Sequence, residues 1–268
     1  GGGGRVAMYF WNNETMTGFN YHTLGGRSGN PSRAENGGGG TAFLYHMVEE
    51  HRTLIVDNGG LQPRDKYHII DSYHDLSQDG CRTWILPISG KHPFASNLHI
   101  YDYSFEELQI YGAAHVAILT DPVDVRAVLF FLYMIGDRSG TVHLGFNHVM
   151  DLFRPEIDLP FSVRAYAGSY LGLAPTTIIH DVSIWMHGEL DHIEFMTLHH
   201  NGLLSMEFGG HTSGDPPNHY SFVWVRIQDN STIAGITDPV TEYGIEFYSD
   251  DLFVEGGGTF CGTSLVIK

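Results

Sequence analysis

Long apolar runs are missing from this chain. The best candidate, Ala127 to Ile135, falls far short of the 18 or more residues of a spanning helix, so no membrane span is expected. Basic residues are scarce: Lys plus Arg number 14 against 31 Asp plus Glu, for a net charge of −17. A nucleic-acid partner needs a basic surface, so none is expected. Tolerance of Ca²⁺ follows more naturally, and Ca²⁺ is the one cofactor the composition leaves open. Only two cysteines occur, Cys81 and Cys261. They could form a single bridge at most, so this is no disulfide scaffold. No signal-peptide pattern opens the chain. Helical periodicity is weak and leaves room for one short helix near 46–51 or 72–77.

What is present is a repeated corner. Met196-Thr-Leu-His-His-Asn201-Gly-Leu-Leu-Ser-Met206 places two short apolar strands on either side of a polar bend. The outline recurs at Val225 to Ile233, with Asn230 at the bend, and at Leu252 to Phe260, with Gly257 there. Earlier copies are Leu108 to Val116 and Val163 to Leu171, the latter bending at Gly168. Asn and Gly take positive φ most readily, so Gly168, Asn201, Asn230 and Gly257 are read as structural corners. Steps from 168 to 201, 230 and 257 give a period of 27–33 residues. Alternation in the first arm predicts that Ile110, Ala165, Leu198, Ile227 and Val254 stack in one column of the core. Strands repeating at this period without helices between them predict an all-β, right-handed parallel β-helix.

Two regions follow: a Gly-rich leading segment over 1–40, with a strand at Val6–Trp11, and the β-helix over 41–268. Strands are expected at 98–101, 105–111, 115–119, 125–135, 141–144, 161–166, 170–173, 177–186, 193–198, 203–208, 221–228, 232–236, 243–248, 251–254 and 258–267. Pro122, Pro155, Pro160, Pro175, Pro216, Pro217 and Pro239 fall between them, as strands paired on both sides require. Thr120-Asp-Pro-Val123 and Thr237-Asp-Pro-Val240 occupy the same phase of the template and support the repeat independently.

Sharper motifs fail on geometry. His46 and His51 are five apart, which puts them on different sides of a helix and on opposite faces of a strand, unlike a zinc-binding pair at i and i+4. Gly37 to Ala42 matches a dinucleotide fingerprint by letter but lacks the preceding strand and following helix. Seven histidines lie between 180 and 219, namely His180, His187, His192, His199, His200, His211 and His219. Stacking could bring them into a column, but their spacing matches no recognised ligand set, and no metal ligand is assigned. Asp250-Asp251 is the candidate acid–base pair. Arg164, Arg226, Gln109 and Thr197 share template positions and are expected on one face. No catalytic residue follows from these.

Several stretches resemble the parallel β-helix repeats of large extracellular fibrocystin-like proteins. They are Asp137-Arg-Ser-Gly-Thr-Val-His-Leu144, Leu198-His-His-Asn-Gly202, Gly209-Gly-His-Thr-Ser-Gly214, Val225-Arg-Ile-Gln-Asp-Asn230 and Glu255-Gly-Gly-Gly-Thr-Phe-Cys-Gly-Thr263. The resemblance implies an extracellular or cell-surface location and a structural, adhesive or receptor-like role, without catalysis. It agrees with two glycosylation sequons, at Asn13 and Asn230. The expected function is a structural or adhesive module that self-associates or contacts neighbouring domains of one long chain. The final apolar stretch, with Leu265 and Ile267 on one face, is expected to be an open edge that a following coil or the Val6–Trp11 strand of another copy covers. The alternatives are a carbohydrate-active β-helix enzyme and a glycan-binding module using Tyr101, Tyr103, Tyr166 and Tyr170.

Overall fold

The computed structural model describes residues 3–11, 22–27, 38–61, 82–85, 100–118, 126–152, 154–236, 244–262 and 264–267. Within them the chain is all-β, and no helix occurs. The opening strands are β1 (Arg5–Phe10), β2 (Gly40–His46), β3 (His51–Asp57), β4 (Arg82–Ile85), β5 (Ile100–Tyr111), β6 (His115–Ile118) and β7 (Arg126–Gly136). Short strands follow: β8 (Thr141–Leu144), β9 (His148–Leu152), β10 (Glu156–Asp158), β11 (Ser162–Ala165), β12 (Tyr170–Gly172) and β13 (Thr176–His180). The run continues through β14 (Ser183–Met186), β15 (Glu189–Asp191), β16 (Phe195–His199), β17 (Leu203–Glu207) and β18 (His211–Thr212). The last are β19 (His219–Ile227), β20 (Thr232–Ile236), β21 (Glu246–Val254), β22 (Thr259–Cys261) and β23 (Ser264–Ile267).

Among the described residues these strands form three sheets. Sheet I has the order β1-β2-β3-β5-β7-β9-β12-β15-β18, sheet II β10-β13-β16-β19-β21-β23, and sheet III β22-β20-β17-β14-β11-β8-β6-β4. From β8 to β20 the chain visits sheets III, I and II in strict rotation. Every described pairing is parallel except the β2–β3 hairpin.

Period-two alternation sends every second side chain to the interior, and parallel register stacks these into columns. In sheet III the column runs Val116, Val142, Val163, Ile184, Leu204 and Ile233, none more than 1% exposed. Sheet II contributes Ile179, Leu198 and Ile227, and sheet I contributes Met150, Leu171 and Leu190, all fully buried. Burying one such aliphatic side chain is worth roughly 1.5–3 kcal/mol.

The expected core column is corrected. Ile110 lies in sheet I, Ala165 in sheet III, and only Leu198, Ile227 and Val254 stand in register, in sheet II. Val254 is also 48% exposed. The copies at Gly168 and at Asn201 belong to different corners. Each corner asks for the same letters: an apolar end of strand, a polar bend with positive φ, then an apolar start of strand.

The period changes for the same reason. Register steps from Val142 to Val163 to Ile184 to Leu204 are 20–21 residues; the 27–29-residue steps from Leu204 to Ile233 to Phe260 come later. Short strands of sheet I and its corners (β9, β15 and β18) and β10 of sheet II were not legible as strands, being two to five residues long. The expected strand 177–186 is two strands that turn at Asp181, and 243–254 holds one strand, β21. The possible helix at 46–51 is the β2–β3 turn, which makes His46 and His51 cross-strand partners. The alternative helix at 72–77 and both Thr-Asp-Pro-Val copies lie outside the described residues, as do Cys81 and Asn13. Cys261 is an exposed free cysteine.

Candidate functional site

Polar side chains gather where strands of sheet II end and the chain bends into sheet III. The parallel register carries His180 of β13 onto His199 of β16. One residue later the backbone turns left-handed, at Asp181 (φ 53°) in the first circuit and at His200 (φ 50°) and Asn201 (φ 65°) in the next. The following circuits repeat the bend at Asp229 and Asn230 (φ 52° and 61°) and at Gly256 and Gly257 (φ 56° and 86°). Asn201, Asn230 and Gly257 therefore sit on one corner, whereas Gly168 (φ 74°) sits on the corner between sheets III and I.

Left-handed backbone at His200 throws its ring back over the strand end. The His180 ring centroid lies 4.2 Å from that of His199 and 4.9 Å from that of His200. Nδ1 of His199 and Nδ1 of His200 are 3.3 Å apart. One ring nitrogen from each of the three histidines falls within 4.8 Å of the other two. Carboxylates surround them: Asp181 Oδ2 is 3.4 Å from His180 Nε2, Asp229 Oδ2 is 3.5 Å from His200 Nδ1, and Asp158 Oδ2 is 3.9 Å from His180 Nδ1. Asn201 Nδ2 donates to Asp181 Oδ1 at 3.2 Å, tying successive bends together. Partial burial, reinforced by the neighbouring His180 and His200, holds the His199 pKa below its ordinary value. Beside this cluster Asp181, His200, Asn201, Asp229, Asn230 and Gly256 line an open depression of ≈ 390 Å³.

A second polar group occupies the outer face of sheet I. Tyr170 Oη donates to Asp191 Oδ2 at 2.6 Å, and His192 Nε2 lies 3.6 Å from Asp151 Oδ1. Burial and the Asp191 carboxylate raise the Tyr170 pKa, so the phenol stays protonated. Gly172 lies in register between Asp151 and Asp191; a Cβ there would come within 2.5 Å of Asp151 Oδ1.

The other expected sites are not assembled. Asp250 and Asp251 are both exposed on β21, with Asp251 opposite Trp224. Thr197 and Arg226 are in register in sheet II, but Arg164 belongs to sheet III and Gln109 to sheet I. Tyr166 stacks on His143 at 6.2 Å, away from the Tyr170–Asp191 pair, and the side chains of Tyr101 and Tyr103 lie outside the described residues. Asn230 is exposed.

Seven histidines were visible in the sequence, but not which three meet. The available signal was their position: His180 and His199 each end a strand immediately before a left-handed bend. No helix among the described residues is long and apolar enough to cross a membrane. Comparison of the chain with family models, with curated proteins and with solved structures finds no match in any of the three.

Proposed function

We propose that the chain winds as a right-handed parallel β-helix and serves as a structural or adhesive module of an extracellular fibre or cell-surface protein, like the fibrocystin-like repeats that it resembles. The rotation of strands through sheets III, I and II carries this reading. Successive strands that pair only with the strand one circuit away are what winding about a common axis produces. Such a module is stiff along its axis, and its end strands keep backbone N–H and C=O groups able to pair further. At one end β22 and β23 are edge strands of sheets III and II; at the other, β1 is the edge of sheet I. Further coils of the same polypeptide or a second copy, joined head to tail, would continue the sheets. The exposed sequon at Asn230 supports the extracellular part of the reading.

Light scattering of the 268-residue chain over a range of concentrations tests the self-association. Mass should grow with concentration, and Thr259→Lys, which puts a charge on the exposed edge strand β22, should hold the chain monomeric. A wild-type chain that stays monomeric throughout overturns end-to-end assembly.

A carbohydrate-active or glycan-binding surface is the second reading, favoured by the Asp151–Tyr170–Asp191–His192 group, whose two carboxylates stand in register on either side of Gly172. Loss of polysaccharide cleavage or binding in Asp151→Asn and Asp191→Asn would support it. Indifference of both variants would remove it.

A further inference from the structure

We propose that His180, His199 and His200 form a binding site for one divalent transition-metal cation, Zn²⁺ being the physiological choice. The inference is independent of the fibre reading. It rests on convergence: three imidazoles from two successive circuits present one nitrogen each within 4.8 Å of the others, at a solvent-accessible corner. Tetrahedral zinc with Zn–N bonds of about 2.0–2.1 Å needs donor atoms roughly 3.3–3.4 Å apart. Nδ1 of His199 and Nδ1 of His200 already stand at 3.3 Å. A hydrogen-bonded imidazole pair would have the same spacing, but it would not require His180 to close the triangle. The remaining nitrogen–nitrogen distances stay within 4.8 Å, and the exposed ring of His200 has room to rotate toward His180.

Arg138 pairs with Asp158 at 2.6 Å, which leaves Asp181 and Asp229 as the carboxylates that suit a cation. Asp181 lies against the ring of His180, where a carboxylate fixes the orientation of a metal-bound imidazole. Asp229 lies 3.5 Å from His200 Nδ1 and can supply a fourth ligand, or leave that position to water. Imidazole donors favour Zn²⁺, Cu²⁺ and Ni²⁺ over Ca²⁺ and Mg²⁺, which take oxygen ligands. Bound metal would fasten the β13–β14 bend to the β16–β17 bend through side chains, beside the backbone pairing already there. The backbone at His200 offers a clean way to remove a ligand: its φ of 50° is one that glycine adopts without strain.

Calorimetric titration of the chain with ZnCl₂ tests the site. Wild type should take up one Zn²⁺ per chain, and excess Ca²⁺ should not compete. His199→Ala and His200→Gly should each weaken binding by on the order of 100-fold or more, while Asp181→Asn should weaken it roughly 10–100-fold. His200→Gly should keep the wild-type circular dichroism spectrum and melting midpoint, which separates loss of a ligand from loss of the fold. His187→Ala, a histidine on the corner between sheets III and I, should bind as wild type does. The proposal is overturned if wild type shows no stoichiometric Zn²⁺ binding, if His199→Ala and His200→Gly bind as tightly as wild type, or if His187→Ala loses binding equally.

Discussion

The corner between sheets II and III and the corner between sheets III and I make the same left-handed bend from different residue types. At the first, Asp181, His200, Asn201, Asp229 and Asn230 hold positive φ with their side chains exposed to solvent. At the second, left-handed backbone falls at Asn147, Gly168 and Gly209, while Gly188, just before β15, is buried against the neighbouring strand. A Cβ on Gly188 would lie 2.4 Å from the backbone oxygen of Ser169. A Cβ on Gly257 would meet only the end of an exposed side chain, Asn230 Oδ1, at 2.7 Å. The bend itself costs an L-residue roughly 1–2 kcal/mol, less for Asn and Asp. The same crowding recurs at the first corner, where a Cβ on Gly202 would lie 2.2 Å from the Ile179 oxygen, so space decides which position within a corner can carry a side chain. The histidine cluster forms at the corner between sheets II and III because His199 ends β16 and His200 enters the bend there, whereas glycine holds the left-handed positions at Gly168 and Gly209.

The largest expected break in this comparison comes from acid. His148 begins β9 at the corner between sheets III and I, is 1% exposed, and its Nδ1 accepts from the backbone N–H of Gly145 at 2.9 Å. Burial pushes its pKa down from 6.5 to about 4. The unfolded chain therefore takes up this proton more readily, so stability present above pH 6.5 is lost as pH falls through 4. The full effect is roughly 3 kcal/mol, since one pKa unit is about 1.4 kcal/mol. Urea unfolding at pH 7.5 and 4.5 measures it, with His148→Gln expected to flatten that part of the dependence. Equal loss in wild type and variant would place the acid sensitivity elsewhere.

A paired substitution sharpens the comparison directly. Gly188→Ala should cost about 1–3 kcal/mol by overpacking against backbone. Gly257→Ala, strained in φ but facing a movable side chain, should cost about 1 kcal/mol. Thermal midpoints in that order support the account; the reverse order would mean that φ, not space, dominates.

The smallest effect concerns Asn230. Exposed at the corner between sheets II and III, it should accept an N-linked glycan on secretion with little change in stability. Intact mass before and after glycosidase treatment, compared with Asn230→Gln, decides whether it does.

Local chemistry made much of this legible. Strands at 141–144 and 232–236 follow from alternation, as does the burial of Leu198 and Ile227 on one face. The bends at Asn201, Asn230 and Gly257 follow from residue types that take positive φ. Other features were illegible for stated reasons. A two-residue strand such as β18 has no periodicity to detect. His46 and His51 read as one segment until a turn folds them into opposite strands.

By itself, then, the sequence determined the class of structure, all-β with polar left-handed corners, because alternation and φ preference act over a few residues. It also determined the acidic surface, because charge is a property of composition. Only the tertiary structure decided which corner each copy of the motif occupies. The three corners place the same local demands on the chain, so letters alone cannot tell Gly168 from Asn201. That assignment depends on backbone pairing between strands 19–33 residues apart, and it alone brings His180 onto His199.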